Sequence, residues 1–392
     1  LGDDGAEASS LLPHKSISAI TSQRFEAEHR AAGKEKRLSK KSSPREIPLV
    51  GELSNPAERL IGSPTICSPW EEALVPGVSQ PPSEPLVAIG AARARGRRQY
   101  MEDRHVIVQD LGLIDPRLAG TQYLCVLDGH GGSRCADFMA ADLHPRLASD
   151  MSTTGAASAD EVRTAFRRCF AASDSAFLQV AQLEALADGA TALCLLLHGA
   201  VAHVANIGDT RAVLARRPEA PQTERAMRER ECEAVRLSVD HKPDQLAERS
   251  RVEARGGSVK ILNGCARVVG PHCPTMLAVS RAFGDRPLKQ GADGPLVSNV
   301  PHFTSVHLTR RDRFVILASD GLWDVLEDDE AVRLASEVSK NASAYGSRSS
   351  VSSTEARKLI PQAVADALLK RATELGSADN ITVLVVWLEW ES

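Results

Sequence analysis

The sequence predicts an α+β fold in which short apolar strands gather into groups and helices lie between the groups. Three observations carry this prediction. Six runs between residues 121 and 388 are short, apolar and bounded by Gly, Asp or Asn, as buried strands are. Longer stretches between them hold apolar residues at helical spacing. The strands cluster instead of alternating one for one with helices, which argues against βαβ units.

Taken in order, residues 1–84 read as a largely irregular tail, rich in Ser, Pro, Lys, Arg and Glu, as in Arg37-Leu-Ser-Lys-Lys-Ser-Ser-Pro-Arg. Such a segment is too poor in apolar residues to bury a core alone. A short helix over 21–36, and docking of the tail to the domain or to a protein partner through Ile61 and Trp70, are expected at most. Gln80-Pro-Pro-Ser-Glu-Pro reads as a linker into a domain over 85–392. That domain opens with a strand over 121–128 and helices over 133–149 and 160–181. In the second helix Val162, Phe166, Phe170 and Phe177 make one apolar face. Strands 191–197, 201–207 and 211–216, joined by tight connections at 198–200 and 208–210, read as an antiparallel meander. Helix 245–255, strand 313–319, helices 328–340 and 355–375 and strand 381–388 complete the pattern. Charged residues 217–234 and Ser-rich residues 341–354 read as surface insertions.

Composition narrows the function. A net charge of −4 supplies no basic field for nucleic acid. No apolar run approaches the ~20 residues that span a bilayer. The first residues, Leu-Gly-Asp-Asp, have neither the basic region nor the apolar core of a secretory signal. The 8 cysteines form no Cys-x-x-Cys pair, and Cys125 and Cys194 fall inside apolar strands. Reduced thiols and a cytoplasmic location are expected; the basic stretch 34–45 reads as a solvated segment, with direction to the nucleus or to a partner the alternative. A Cys265–Cys273 contact is a minor alternative.

The chemistry lies in carboxylates scattered over nearly the whole domain: Glu102, Asp103, Asp128, Asp209, Asp320, Asp324 and Asp379. Several sit at the end of an apolar strand, where an unpaired charge is costly to desolvate. Their convergence requires a cation, and oxygen ligands without a Cys or His cluster select Mg²⁺ or Mn²⁺. Asp128-Gly-His-Gly-Gly is the most specific segment. Gly129 permits close backbone approach, so its carbonyl can add a ligand. His130 can serve as a general acid. Arg98, three residues before Met101-Glu-Asp, suits bidentate capture of a phosphate. Asp209 and Asp324 suit a further, weaker ion or a turn cap.

Eight segments in order resemble the metal-dependent, type 2C serine/threonine protein phosphatases. They are Arg98-x-x-Met-Glu-Asp-x-His, Asp128-Gly-His-Gly-Gly, Asp188-Gly-Ala-Thr-Ala, Ala205-Asn-Ile-Gly-Asp-Thr-Arg, Asp240-His-Lys-Pro, Ala278-Val-Ser-Arg-Ala-Phe-Gly-Asp, Ala318-Ser-Asp-Gly-Leu-Trp-Asp and Ser377-Ala-Asp-Asn-Ile-Thr. The resemblance implies two antiparallel sheets packed as a sandwich and flanked by helices; a monomeric catalytic domain is a separate expectation. It implies two Mn²⁺ or Mg²⁺ ions, with Asp128 bridging, Asp320 and Asp379 completing one site, and Glu102 and the Gly129 carbonyl serving the other. Asp103 would brace the ligands, and Asp209, with Asp320 and Asp324, would match a third site. Arg98 would hold the substrate phosphate, with Arg281 assisting from the base of a variable flap. His130 would protonate the leaving group, and water would attack phosphorus with no phosphoenzyme. Arg286, Pro287 and Lys289 in the flap would tune substrate preference. Two other functions are weighed against a phosphatase acting on phosphoproteins: a pseudophosphatase scaffold anchored by residues 1–84, and a hydrolase of small phosphate esters.

Overall fold

Strands that are apolar on both faces must be covered on both faces, and the fold answers this with two stacked sheets between two helix layers. The computed structural model describes residues 84–155, 158–219, 232–271, 273–289, 294–346 and 353–390. The chain divides into two units, Leu1–Val78 and Ser79–Ser392, and every described residue belongs to the second. The expected tail helix, the docking residues Ile61 and Trp70 and the middle of the 217–234 insertion lie outside the described residues.

β1 (Leu86–Ala94) and β2 (Arg104–Val108) precede β3 (Thr121–Leu127) and the two-residue β4 (Gly129–His130). Helices α1 (Arg134–Thr154) and α2 (Ala159–Leu183) follow. Next come β5 (Gly189–Ala190), β6 (Ala192–His198), β7 (Val201–Ile207), β8 (Arg211–Arg216) and β9 (Glu233–Arg236). A middle segment holds α3 (Leu246–Ala254), β10 (Ser258–Leu262), β11 (Cys265–Val269), β12 (Met276–Leu277), β13 (Phe283–Gly284) and α4 (Arg286–Lys289). β14 (His302–His307), β15 (Asp312–Ala318), α5 (Asp320–Trp323), α6 (Asp328–Gly346), α7 (Ser353–Glu374) and β16 (Ile381–Glu389) close the domain.

One sheet runs β1-β16-β15-β8-β9 and the other β14-β7-β6-β3-β2, with all pairings antiparallel. Leu124, Val126, Leu193 and Leu195 from one sheet meet Leu214, Val315, Leu317 and Leu384 from the other in a core between them. The alternate residues of β3 and β6 pack under α1 and α2, against Met139, Phe166 and Phe170. Those of β15 and β16 pack under α6 and α7, against Val332, Val364 and Leu368. Each fully buried Leu, Val or Phe contributes about 1.5–3 kcal/mol to this stack. Helix α2 begins with a reciprocal cap: Glu161 N–H donates to Ser158 Oγ, and Ser158 N–H donates to the Glu161 carboxylate.

The structure departs from the expected meander at β8. β6 and β7 form the expected hairpin, but β8 leaves it and pairs with β15 and β9 in the opposite sheet. Gly208, at φ +87°, carries the chain across, and Asp209 rides on that crossover at the end of the sandwich. The Ser-rich insertion is shorter than expected, because α6 extends to Gly346 and α7 starts at Ser353. The described cysteines are all free, Cys265 and Cys273 included. No helix among the described residues is long and apolar enough to cross a membrane.

His203 on β7 is buried, stacked on Phe303, and burial with the nearby His198 and His307 lowers its pKa to about 4. The unfolded chain binds that proton near pH 6.5. Stability present above pH 6.5 is therefore lost as pH falls towards 4, because the unfolded state takes the proton first. Melting temperature measured across this window should fall with acidity, and His203→Asn should flatten the slope.

Candidate metal centre and its surroundings

Strand register puts the acidic motifs at one end of the sandwich. β3 ends beside the start of β2 and β6, β15 ends beside the starts of β8 and β16, and β1 ends beside the start of β16. Asp128 follows β3, Asp209 precedes β8, Asp320 follows β15 and Asp379 precedes β16. Among the described residues, Asp128, Asp209 and Asp320 bring carboxylate oxygens within 4.8 Å of one another. Burial and the charges of Asp320, Asp103, Asp209 and Asp379 hold the Asp128 carboxyl well above the usual carboxylate range. Burial with Asp209, Asp324 and Asp379 does the same to Asp320. Three carboxylates so placed repel one another, and a divalent cation would offset that repulsion.

Asp209 tests whether a cation fits. It is 4% exposed, its Oδ2 accepts from Lys242 Nζ, and its Oδ1 is buried without a hydrogen-bond partner. An unpaired carboxylate oxygen beside two further carboxylates is a hard-donor cradle. Burial alone would lower the Lys242 pKa, but the Asp209 charge outweighs it and raises the net value. Asp324, just past α5 at the surface, is raised by partial desolvation and by Asp209 and Asp379, with Lys242 acting against them.

Asp128, Asp209 and Asp320 all belong to the expected ligands, while Asp379, expected with Asp128 and Asp320 at one metal site, lies outside the trio. Asp379 turns its carboxylate to Arg98, whose Nη2 donates to Oδ2, and to its neighbour's Asn380 N–H at 2.7 Å. Arg98 is more than half exposed, so its remaining donors face solvent beside the cluster. Glu102 lies outside the trio; its N–H donates to Asn380 Oδ1 at 2.6 Å, and its charge acts on His130. Gly129 has no Cβ to meet the Glu102 carbonyl, which a side chain would approach to 2.6 Å. Asp103 is buried behind the cluster and accepts from Ser319 Oγ at 2.8 Å. Burial, against that hydrogen bond, lifts it to about 6.

Arg281 is a correction. Its guanidinium donates to Glu248 and to the Val300 carbonyl, not towards the cluster. Burial would raise Glu248, but Arg281, Ser280 and Arg251 hold it at about 2. Removing Arg281 would strip a buried carboxylate of a partner, so its place is structural. Lys289 is likewise committed, to buried Asp174 at 2.7 Å and to the Ala282 carbonyl at 2.7 Å. Arg286 reaches Gln182 at 3.1 Å.

Three residues without an assigned role in the sequence reading take part. Asn380 clamps the Arg98 loop, donating to the Arg95 carbonyl at 2.8 Å and the Tyr100 carbonyl at 3.0 Å. Lys242 neutralises Asp209. Asp285, 1% exposed, places both carboxylate oxygens 3.0 Å from His130 Nε2. Burial would lower the His130 pKa, and Asp285 outweighs it to give a net rise. Each lies inside a quoted motif, but spacing does not say which distant charge it meets. Gly189 makes room for the His130–Asp285 pair: a Cβ there would lie 2.2 Å from His130 Nε2 and 2.3 Å from Asp285 Oδ2. Gly189→Ala should therefore displace His130 and lower turnover on a phosphothreonine peptide by roughly 100-fold, checked by kcat beside an unchanged circular dichroism spectrum.

Comparison with known proteins identifies the family of the chain. The sequence model of the family described as Protein phosphatase 2C matches residues 87–381. The human integrin-linked kinase-associated serine/threonine phosphatase 2C is 34% identical over 302 residues, covering 75% of this chain and 71% of that protein. Human protein phosphatase 1F is 35% identical over 311 residues, covering 77% of this chain and 57% of that protein. A crystal structure of serine-threonine phosphatase 2C from Toxoplasma gondii shares the fold, with a TM-score of 0.61 at 24% identity over 79% of this chain and 98% of that one. The chain belongs to the protein phosphatase 2C family.

Proposed function

We propose that this phosphatase hydrolyses phosphoserine and phosphothreonine in proteins at the acidic end of the sandwich, using two Mn²⁺ or Mg²⁺ ions and a weaker third. The observation that carries the reading is the convergence of Asp128, Asp209 and Asp320 beside Arg98 and His130. Asp128, Asp320, Asp379, Glu102 and the Gly129 carbonyl would hold the two ions, and Asp209 with Asp324 the third. When bound, the ions would lower the pKa of water and polarise the phosphoryl group. Arg98 binds the phosphate oxygens as a planar fork, exchanging Asp379 for substrate. Water forms the new bond to phosphorus as the bond to the seryl or threonyl oxygen breaks, and His130 gives that oxygen a proton. No side chain is phosphorylated. Asp103 and Asn380 keep Ser319 and the Arg98 loop in place.

Every carboxylate this reading needs is present in the sequence, which disfavours a scaffold that has lost catalysis. Calorimetric titration tests the metal reading: wild type should bind two Mn²⁺ ions, with a third appearing at higher concentration, and Asp128→Asn should lose the tight pair. Binding of no ion at millimolar Mn²⁺ would contradict it. A turnover higher on small phosphate esters than on phosphopeptides would favour the third function weighed above.

A further inference from the structure

Asp285 is held where a carboxylate does not settle unaided. It sits at φ +49°, in the left-handed region that non-glycine residues seldom occupy. Its N–H donates to the Asp188 carbonyl at 2.9 Å, and its own carbonyl accepts from Leu288 N–H at 2.8 Å. The preceding Gly284, at φ +70°, is pinned through its N–H to the buried Asp174 carboxylate at 2.8 Å. Among the described residues no Lys or Arg forms an ion pair with Asp285, although its side chain is 2% exposed. Its two oxygens are spent on one imidazole nitrogen, His130 Nε2. A buried carboxylate without a cation is costly unless the group it binds repays it.

We propose that Asp285 is the positioning residue of His130. It accepts the Nε2 proton, fixes the ring plane from the base of the flap and leaves Nδ1 as the nitrogen that serves the leaving group. β13, through its pairing with β5, thereby links flap position to the proton-donating step. The inference rests on the reading of His130 as the general acid.

The test compares two leaving groups under saturating Mn²⁺: a phosphothreonine peptide, whose alkoxide needs a proton, and p-nitrophenyl phosphate, whose aryl oxide leaves without one. Asp285→Asn should lower kcat on the peptide by roughly 10- to 100-fold, within the range general acids supply, with KM unchanged. On the aryl ester the loss should stay below about threefold, because no proton transfer is needed there. His130→Ala should show the same selectivity, and the double variant should be no worse on the peptide than His130→Ala. Equal losses on both substrates for Asp285→Asn, or no loss on the peptide, would overturn the proposal. Equal losses for His130→Ala would overturn the acid reading, and the proposal with it. A readout on wild type needs no variant to fold: nitrogen NMR of His130 at a pH where the ring is neutral should show the Nε2–H tautomer. The Nδ1–H tautomer would refute the assignment.

Discussion

Asp128→Asn is expected to abolish most turnover on a phosphothreonine peptide while leaving the fold intact. The oxygens of Asp128 meet those of Asp209 and Asp320, so an amide there removes the charge at the centre of the cluster. Losing several kcal/mol of transition-state stabilisation at a metal centre corresponds to about a 10³-fold fall in kcat. The same change relieves repulsion among the carboxylates that hold Asp128 well above its usual range. In EDTA the variant should therefore melt no lower than wild type. Activity and stability moving in opposite directions identifies a functional carboxylate; a joint fall in both would mark Asp128 as a structural residue.

Lys289→Met is expected to destabilise the domain by about 3–5 kcal/mol, the cost of leaving one member of a buried pair uncompensated. Lys289 is 6% exposed and its partner Asp174 is 1% exposed. Asp174 also accepts from Gly284 N–H and from Asn299 Nδ2 at 2.8 Å, so this pair anchors the flap that carries Asp285. Urea denaturation should show the loss as a lower midpoint at unchanged slope. The expectation that Lys289 selects substrates predicts instead a changed ranking of phosphopeptides at constant stability. A midpoint within about 0.5 kcal/mol of wild type, the range of ordinary surface changes, would contradict the structural role.

The six strands legible in the sequence are the six interior strands of the two five-stranded sheets. β16, β15 and β8 fill the middle of one sheet, and β7, β6 and β3 the middle of the other. Covered on both faces, they read as continuous apolar runs. The missed longer strands of these two sheets, β1, β2, β9 and β14, are the edges, and their residues are mostly half-buried or exposed. An edge strand has no complete apolar signature to read. The transfer of β8 to the other sheet was equally hidden, because a tight link marks a turn without saying which neighbour follows it.

The candidate site was legible as chemistry and not as pairing. Asp128, Asp209 and Asp320 could be picked from strand ends and motifs, and the structure gathers them. Which charge meets which could not. Asp379 with Arg98, Asp209 with Lys242 and His130 with Asp285 are contacts between segments brought together by the sandwich. Arg281 shows the converse: a cation inside a motif near the site, turned away from it by the buried Glu248.

The measurement that tests the account most directly is turnover of a phosphothreonine peptide by the full chain, with Mn²⁺ and with excess EDTA. The account predicts inorganic phosphate released over many turnovers with Mn²⁺, loss of that release in EDTA and its recovery when Mn²⁺ is restored. Turnover that persists undiminished in EDTA, or a folded chain that binds Mn²⁺ and releases no phosphate, would contradict it.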